Sequence, residues 1–393
     1  MSKTAFIFPG QGSQSLGMLT DFADRPAVKQ TFQEASGALG LDIWALCQEG
    51  PQEALNQTEN TQPLLLTAGV ALWRLWEQSG GPRPNFLAGH SLGEYTALTC
   101  AGVINLGDAV RLVRTRGQLM QQAVAEGEGK MAAVLGLDDD QVRAACEQAA
   151  EGDVVEAVNF NAPGQVVIAG SAAAVERAIA ACKEAGAKRA MPLPVSVPSH
   201  CALMKPAAEQ LAETLQATNF HAAEMPVINN VDVAMETAPE QIREALIRQL
   251  YSPVRWVETI QALKEQGVSH VYECGPGKVL SGLIKRIDRD IAALVAQREA
   301  APALDESSAE PASIQPESSS ISSALTEAKK AAIPPPLPPS VTEAQAPQKE
   351  AAKKLKLKSA FAAPQDVAPA TRQTATPETV PETVPETVPG NWL

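Results

Sequence analysis

Short apolar runs that stop at glycine or proline alternate along this chain with stretches whose apolar positions recur at helical spacing. Thr4-Ala5-Phe6-Ile7-Phe8 predicts a buried strand, broken at Pro9-Gly10-Gln11-Gly12. Helical patterns follow at 27–39 and, after Thr61-Gln62-Pro63, at 64–78. Pro84 to Ala88 reads as a second strand, 92–101 as a helix and 107–124 as a long helix opened by Asp108. A different texture begins near Gly127. Strands at 131–135, 154–159, 165–170 and 188–193 alternate with helices at 138–150 and 172–185, the β-α-β-β-α-β order of a split, ferredoxin-like unit. Pro192, Pro194 and Pro198 then hold the chain extended into Ser199-His200-Cys201 and a helix starting near Met204. A strand at 227–231, helices at 242–251 and 257–266, a strand at 268–273 and a helix at 279–287 complete the body.

The pattern stops near Gln297. Residues 301–393 hold 15 of the 30 prolines but one of the 26 glycines, and 377–388 repeat Pro-Glu-Thr-Val three times. Such a segment buries too little apolar surface to offset the entropy of ordering it, so a disordered tail is expected over 298–393. The tail's Lys353-Lys354-Leu355-Lys356-Leu357-Lys358 reads as a solvated charge run.

Composition narrows the class. Hydrophobic residues make up 45% of the 393 and aromatic ones 4%, which suits helices packed on a buried sheet, an α/β protein. A net charge of -13 argues against nucleic acid or an anionic membrane as the main partner. The six cysteines form no Cys-x-x-Cys pair and no cluster with histidine, so neither a disulfide framework nor a metal site is expected. With no long apolar stretch and no leader pattern, a cytoplasmic protein is expected.

The candidate chemistry sits at Gly89-His90-Ser91-Leu92-Gly93-Glu94. A Gly-x-Ser-x-Gly between a strand and a helix is the pattern of a nucleophile elbow, with Ser91 exposed at the turn. A serine needs a base, and the chain offers four histidines: His90, His200, His221 and His270. His90 adjoins Ser91 but points to the opposite face, which suits packing under the elbow. His270 falls in a strand pattern and His221 in a polar segment. His200, held by prolines downstream of the serine, is the best candidate base. Gln11, between two glycines at the end of the first strand, lies where open α/β sheets bind ligands. An arginine on a helix usually carries surface charge, but Gly117 and Met120 beside Arg116 are compatible with a face packed towards something other than water.

Taken in order, Phe8-Pro9-Gly10-Gln11-Gly12-Ser13-Gln14, Gly89-His90-Ser91-Leu92-Gly93-Glu94, Arg116-Gly117, Asn161-Ala162-Pro163-Gly164-Gln165-Val166-Val167, Val197-Pro198-Ser199-His200-Cys201-Ala202-Leu203-Met204 and Glu273-Cys274-Gly275-Pro276-Gly277 resemble bacterial malonyl-CoA:acyl-carrier-protein transacylases. The resemblance implies an α/β-hydrolase-like large lobe (1–126 and 197–297) with an inserted ferredoxin-like small lobe (127–196). It implies Ser91 as nucleophile, His200 as base, and the backbone amides of Gln11 and Leu92 as oxyanion hole. Arg116 would bind the malonyl carboxylate, with Gln62 and Met120 lining the acyl pocket. The main-chain carbonyls of Asn230 and Gln249 would orient the imidazole. No cofactor is implied beyond the substrates, malonyl-CoA and holo acyl carrier protein.

The carrier is usually acidic, so a local basic patch at Lys188, Arg189, Lys285 and Arg286 is expected to receive it despite the net negative charge. A monomer is expected. The pathway implied is type II fatty acid synthesis. Three readings compete: a discrete acyltransferase serving a polyketide or polyunsaturated fatty acid synthase, a serine esterase or thioesterase, and a non-catalytic scaffold. An esterase would have no need of Arg116, and a scaffold no need of Ser91 or His200.

Overall fold

A computed structural model describes residues 2–195 and 197–296. The tail expected over 298–393, with residue 297, lies outside the described residues. The first of two sheets is five-stranded and parallel, in the order β7-β2-β1-β8-β9. Its strands are β1 (Lys3–Phe8), β2 (Phe86–Gly89), β7 (Val227–Ile228), β8 (Val268–Glu273) and β9 (Ala292–Val295).

The apolar run of β1 is continuous because both faces of this sheet are covered. Phe6 and Phe8 point to one side, where Phe6 meets Trp73, Trp76 and Tyr272 edge-on or stacked. Ala5 and Ile7 point to the other, into a separate core with Trp256, Ile260, Leu280 and Ile284. Helices α1 (Pro26–Leu39), α2 (Ile43–Glu49), α3 (Gln52–Asn56), α4 (Thr58–Gln78), α5 (Leu92–Cys100) and α6 (Leu106–Gln122) precede the second sheet. The proline expected to end a loop before α4 lies inside that helix, which starts at Thr58. Pro63 removes one hydrogen bond near the start of a helix buried along most of its length, and burial outweighs that loss.

The second sheet is four-stranded and antiparallel, in the order β4-β5-β3-β6. It is built from β3 (Gly129–Leu135), β4 (Val155–Ala162), β5 (Gln165–Ser171) and β6 (Arg189–Pro192). Helices α7 (Asp139–Ala150) and α8 (Ala172–Glu184) cover one face. Asp138 starts α7 through a reciprocal capping box with Gln141. On the other face, Met131, Val158, Val167 and Ala169 pack on Cys201, beside His200. Backbone bonds between Val158, Phe160 and Val254 stitch this sheet to the segment before α11 (Trp256–Glu265). Helices α9 (Lys205–Ala217), α10 (Pro239–Gln249) and α12 (Val279–Ile287) complete the described chain.

Register decides where the site falls. Phe8 pairs with Gly89, and Ile7 with both Ala88 and Glu273, so β1, β2 and β8 end together. Pro9-Gly10-Gln11, His90-Ser91 and Cys274-Gly275 therefore share the carboxyl edge of the parallel sheet, the usual ligand edge of such folds.

Candidate active site

The turn from β2 into α5 is sharp enough to force Ser91 to φ 51°, a left-handed conformation that a serine rarely adopts. The two glycines permit it. A Cβ on Gly89 would lie 1.9 Å from the Gly93 carbonyl carbon, and one on Gly93 would lie 2.0 Å from the Phe8 oxygen. Strand and helix thus meet at a separation no other residue allows. The Asn230 side chain bridges the turn: its Oδ1 accepts the Ser91 N–H at 2.8 Å, and its Nδ2 donates to the Gly89 carbonyl at 2.7 Å.

Ser91 Oγ lies 2.8 Å from Nε2 of His200. His200 is held at φ 66°, its N–H donating to the Leu250 carbonyl. Its Nδ1 lies 2.8 Å from the main-chain carbonyl of Gln249, which can only accept, so Nδ1 carries the proton and Nε2 is free to take one from the serine. The Asn230 carbonyl departs from the role expected of it. It accepts the Arg255 N–H instead, and both nitrogens of the His200 ring already have partners in Gln249 and Ser91. Burial, with the nearby Arg116 charge, pushes the His200 pKa down to about 3. A base that stays neutral at physiological pH is what proton abstraction from serine requires.

Arg116 comes from α6 and is 1% exposed. Gly117 lets that helix approach α4, since a Cβ there would lie 2.7 Å from the Thr58 carbonyl oxygen. The guanidinium donates to Gln62 Oε1 at 2.8 Å, Gln249 Oε1 at 3.0 Å and Ser91 Oγ at 3.3 Å. Its face lies over Tyr95, 5.3 Å from the ring centre. Among the described residues, no carboxylate makes an ion pair with it. A buried cation held by neutral amides, with a nucleophile beside it, can pair with an anionic group that enters the site.

A cavity of about 160 Å³ opens over these groups, bordered by Gln11, Ser91, Leu92, Arg116, Met120 and His200, with Met131 and Leu193 on the side of the second sheet. Leu92 is the first residue of α5, so its N–H belongs to the helix end that carries positive partial charge. Met120 borders the cavity. Gln62 does not: it lies behind Arg116, 1% exposed, with Nε2 toward Met120 Sδ at 3.5 Å. The reason is that its amide oxygen is needed against the guanidinium. Among the described residues, no cluster of histidine, cysteine, aspartate or glutamate is arranged to hold a metal ion, and no helix is long and apolar enough to cross a membrane.

Beyond these, His90 and Glu94 adjoin the site, and of the two only Glu94 went unread in the sequence. His90 is buried under the elbow, its Nε2 2.8 Å from Asn161 Oδ1 and its ring edge-on to Trp256. Glu94 is 2% exposed, and burial raises its pKa to about 7. Its signal was present as a carboxylate three residues after the serine, in a helix otherwise lacking charge.

A parallel sheet with a serine elbow at its carboxyl edge, a neutral histidine on the serine and a buried arginine beside both define a serine acyl-transfer protein. The chain belongs to the acyl transferase domain family, whose profile matches residues 5–315. Among its relatives, the malonyl CoA-acyl carrier protein transacylase of Salmonella typhimurium is 64% identical over 288 residues, 73% of this chain and 93% of the relative. The Bacillus subtilis protein of the same name is 49% identical over 291 residues, 74% of this chain and 92% of the relative. A Vibrio cholerae acyl carrier protein S-malonyltransferase superposes with a TM-score of 0.74 at 62% identity, covering 75% of this chain and 96% of that one. A malonyl-transacylase solved in complex with a type II polyketide acyl-carrier protein gives 0.74 at 59% identity, covering 74% and 95%.

The depressed His200 pKa has a consequence for stability. Unfolded histidine binds its proton near 6.5 and the folded one only near 3, so this residue's contribution is lost as pH falls below 6.5. At pH 5 the deficit is about 2 kcal/mol. Urea unfolding of His200→Gln beside the unsubstituted protein, at pH 7.5 and pH 5, should show the variant gaining by that margin at the lower pH. Parallel losses in the two proteins would contradict it.

Proposed function

We propose that this chain carries a malonyl group from malonyl-CoA to the phosphopantetheine thiol of acyl carrier protein, through an ester on Ser91, in type II fatty acid synthesis. The observation that carries the reading is the buried Arg116 guanidinium, 3.3 Å from Ser91 Oγ and, among the described residues, without a carboxylate partner. In a malonyl ester the carboxylate carbon is the third atom beyond Oγ, within reach of that guanidinium, whose planar fork matches it in a bidentate pair.

The chemistry proceeds in two half-reactions. His200 Nε2 takes the Ser91 proton as Oγ attacks the thioester carbonyl, and the N–H groups of Gln11 and Leu92 bind the oxyanion. Collapse expels the CoA thiolate, which recovers the proton from His200. The carrier's thiol then gives its proton to His200 and attacks the ester, and Ser91 regains the proton as it leaves. No cofactor takes part. In this reading the chain acts in the cytoplasm as a monomer, with 127–196 as a ferredoxin-like lobe inserted in an α/β-hydrolase-like lobe formed by 1–126 and 197–297.

Three of the four basic residues proposed to receive the carrier, Lys188, Arg189 and Arg286, border one groove with Gly136, Asp138 and Pro163. Lys285 adjoins Arg286 on α12 outside that lining. The groove flanks Leu135, at the end of β3 away from Met131 and the cavity. The polyketide carrier in the 59%-identical complex favours a second reading in which the same chemistry serves a polyketide synthase.

Brief exposure to malonyl-CoA should add one malonyl mass to Ser91, which holo acyl carrier protein then removes onto its own thiol. Ser91→Ala should acquire none. Absence of the adduct, or its loss only to water, would reject the transferase reading. Arg116→Ala should lower the preference for malonyl-CoA over acetyl-CoA by at least about 30-fold, equivalent to about 2 kcal/mol; unchanged selectivity would contradict the carboxylate assignment. Charge reversal at Lys188 and Arg189 should slow discharge to the carrier and leave malonylation by malonyl-CoA intact. Equal rates of discharge at low and high salt in that variant and the unsubstituted protein would remove the docking assignment.

A further inference from the structure

Glu94 is buried in the first turn of α5 and is not among the residues that line the cavity. Its Oε2 nevertheless accepts two hydrogen bonds from residues that contact Ser91, Arg116 and His200. One comes from the backbone N–H of Asn230 at 2.9 Å, the other from Nε2 of Gln249 at 2.9 Å. Asn230 in turn receives the Ser91 N–H on its side-chain oxygen. Gln249 is used at both ends: its side-chain oxygen accepts from Arg116 and its main-chain carbonyl accepts from His200.

The Gln249 amide can take only one orientation here. Turned over, it would present N–H to a guanidinium and oxygen to a carboxylate, losing both bonds and setting like against like. In the orientation found, a cation and an anion face each other through one amide, Arg116 on the oxygen and Glu94 on the nitrogen. The same Nε2 also donates to the Ser91 carbonyl at 3.1 Å, closing the circuit onto the elbow.

We propose that Glu94 is a positioning residue for acyl transfer, its carboxylate acting through Gln249 and Asn230 to hold Arg116, His200 and Ser91 in one fixed arrangement. The inference rests on the malonyl-transfer reading above and adds to it a group that never meets the substrate. Removing the carboxylate frees the Gln249 side chain to rotate, and its contacts with Arg116 and with the Ser91 carbonyl move with it. A displacement of that kind near the reacting atoms costs on the order of 100-fold in rate.

Protonation of Glu94 has a related effect, because a neutral carboxyl group loses the charge that faces Arg116 through the amide. The charged and titratable groups around it are Arg116 on α6, Asp232 after β7, Tyr95 on its own helix, and His200 and His90. Tyr95 is pushed up to about 12, the histidines down to about 3 and 4, and Asp232 below its usual value, so Glu94, raised to about 7, is the one of this set that titrates near neutrality. Its carboxylate form prevails above that pH.

The test measures the single-turnover rate of Ser91 malonylation by malonyl-CoA, per serine that a fluorophosphonate can label, from pH 5.5 to pH 8.5. The proteins compared are the unsubstituted chain, Glu94→Ala and Glu94→Gln. Counting labelled serines separates a poorly folded preparation from a mispositioned site. Glu94→Ala is expected to fall at least about 30-fold per labelled serine at the upper end of the range. Glu94→Gln, whose amide oxygen can accept both hydrogen bonds, is expected to recover to within about 10-fold of the unsubstituted rate. The rate of the unsubstituted protein should fall with pH below about 7, while Glu94→Gln shows no such inflection.

A rate for Glu94→Ala within about 3-fold of the unsubstituted protein would overturn the proposal. Should Glu94→Ala fail to fold, Glu94→Gln decides alone: loss of the inflection supports the role, and an inflection identical to the unsubstituted protein's overturns it. Absence of malonylation in the unsubstituted chain would instead reject the underlying reading, a result distinguishable from any failure of the Glu94 variants.

Discussion

The close approach of β2 and α5 at Ser91 is the constraint on which the rest of the site depends. A serine at φ 51° is strained, and the chain holds it there by making every alternative worse. Gly89 and Gly93 leave no room for a side chain between strand, helix and the end of β1. Asn230 stitches the turn, satisfying the Ser91 N–H and the Gly89 carbonyl. The strain places Oγ at the carboxyl edge of the sheet, at the start of a helix whose dipole favours developing negative charge. Moving the strand order or the register by one residue would separate Gln11, Ser91 and the α5 terminus.

A second tension is electrostatic. Among the described residues Arg116 is buried without a carboxylate in contact, an arrangement whose desolvation cost has to be offset elsewhere. Two glutamine oxygens, the Tyr95 ring and, one amide further away, Glu94 supply that offset in the free protein. In the proposed reading a substrate carboxylate completes the arrangement, which would favour acyl groups that bring one. The same positive charge adds to burial in keeping His200 neutral, so the residue proposed to recognise the substrate also bears on the protonation state of the base.

Much of this was legible in the sequence, for physical reasons that differ from residue to residue. Ser91 was readable because glycine spacing at an elbow reflects sterics that few residues can meet. His200 was readable because prolines restrict the chain that delivers it, and the six ordered motifs suggested the role of Arg116. The order of strands in the β-α-β-β-α-β segment followed from alternating hydrophobic periods. Side-chain relays were not legible. Asn230 uses its amide where its carbonyl was expected, and Gln62 stands behind Arg116 where a pocket wall was expected. Which atom of an amide faces the site depends on distant packing that leaves no periodic trace. The short helices α2 and α3 and the edge strand β9 were missed because each is too brief to establish a period.

The claim at the centre is that one serine holds a malonyl group whose far carboxylate rests on Arg116. The most direct measurement is a crystal structure of the protein trapped after brief exposure to malonyl-CoA. Density continuous from Ser91 Oγ is expected, with the ester oxygen between the N–H groups of Gln11 and Leu92 and the carboxylate in a two-point pair with Arg116. An ester whose carboxylate points away from Arg116, or malonyl density on any other residue, would contradict it.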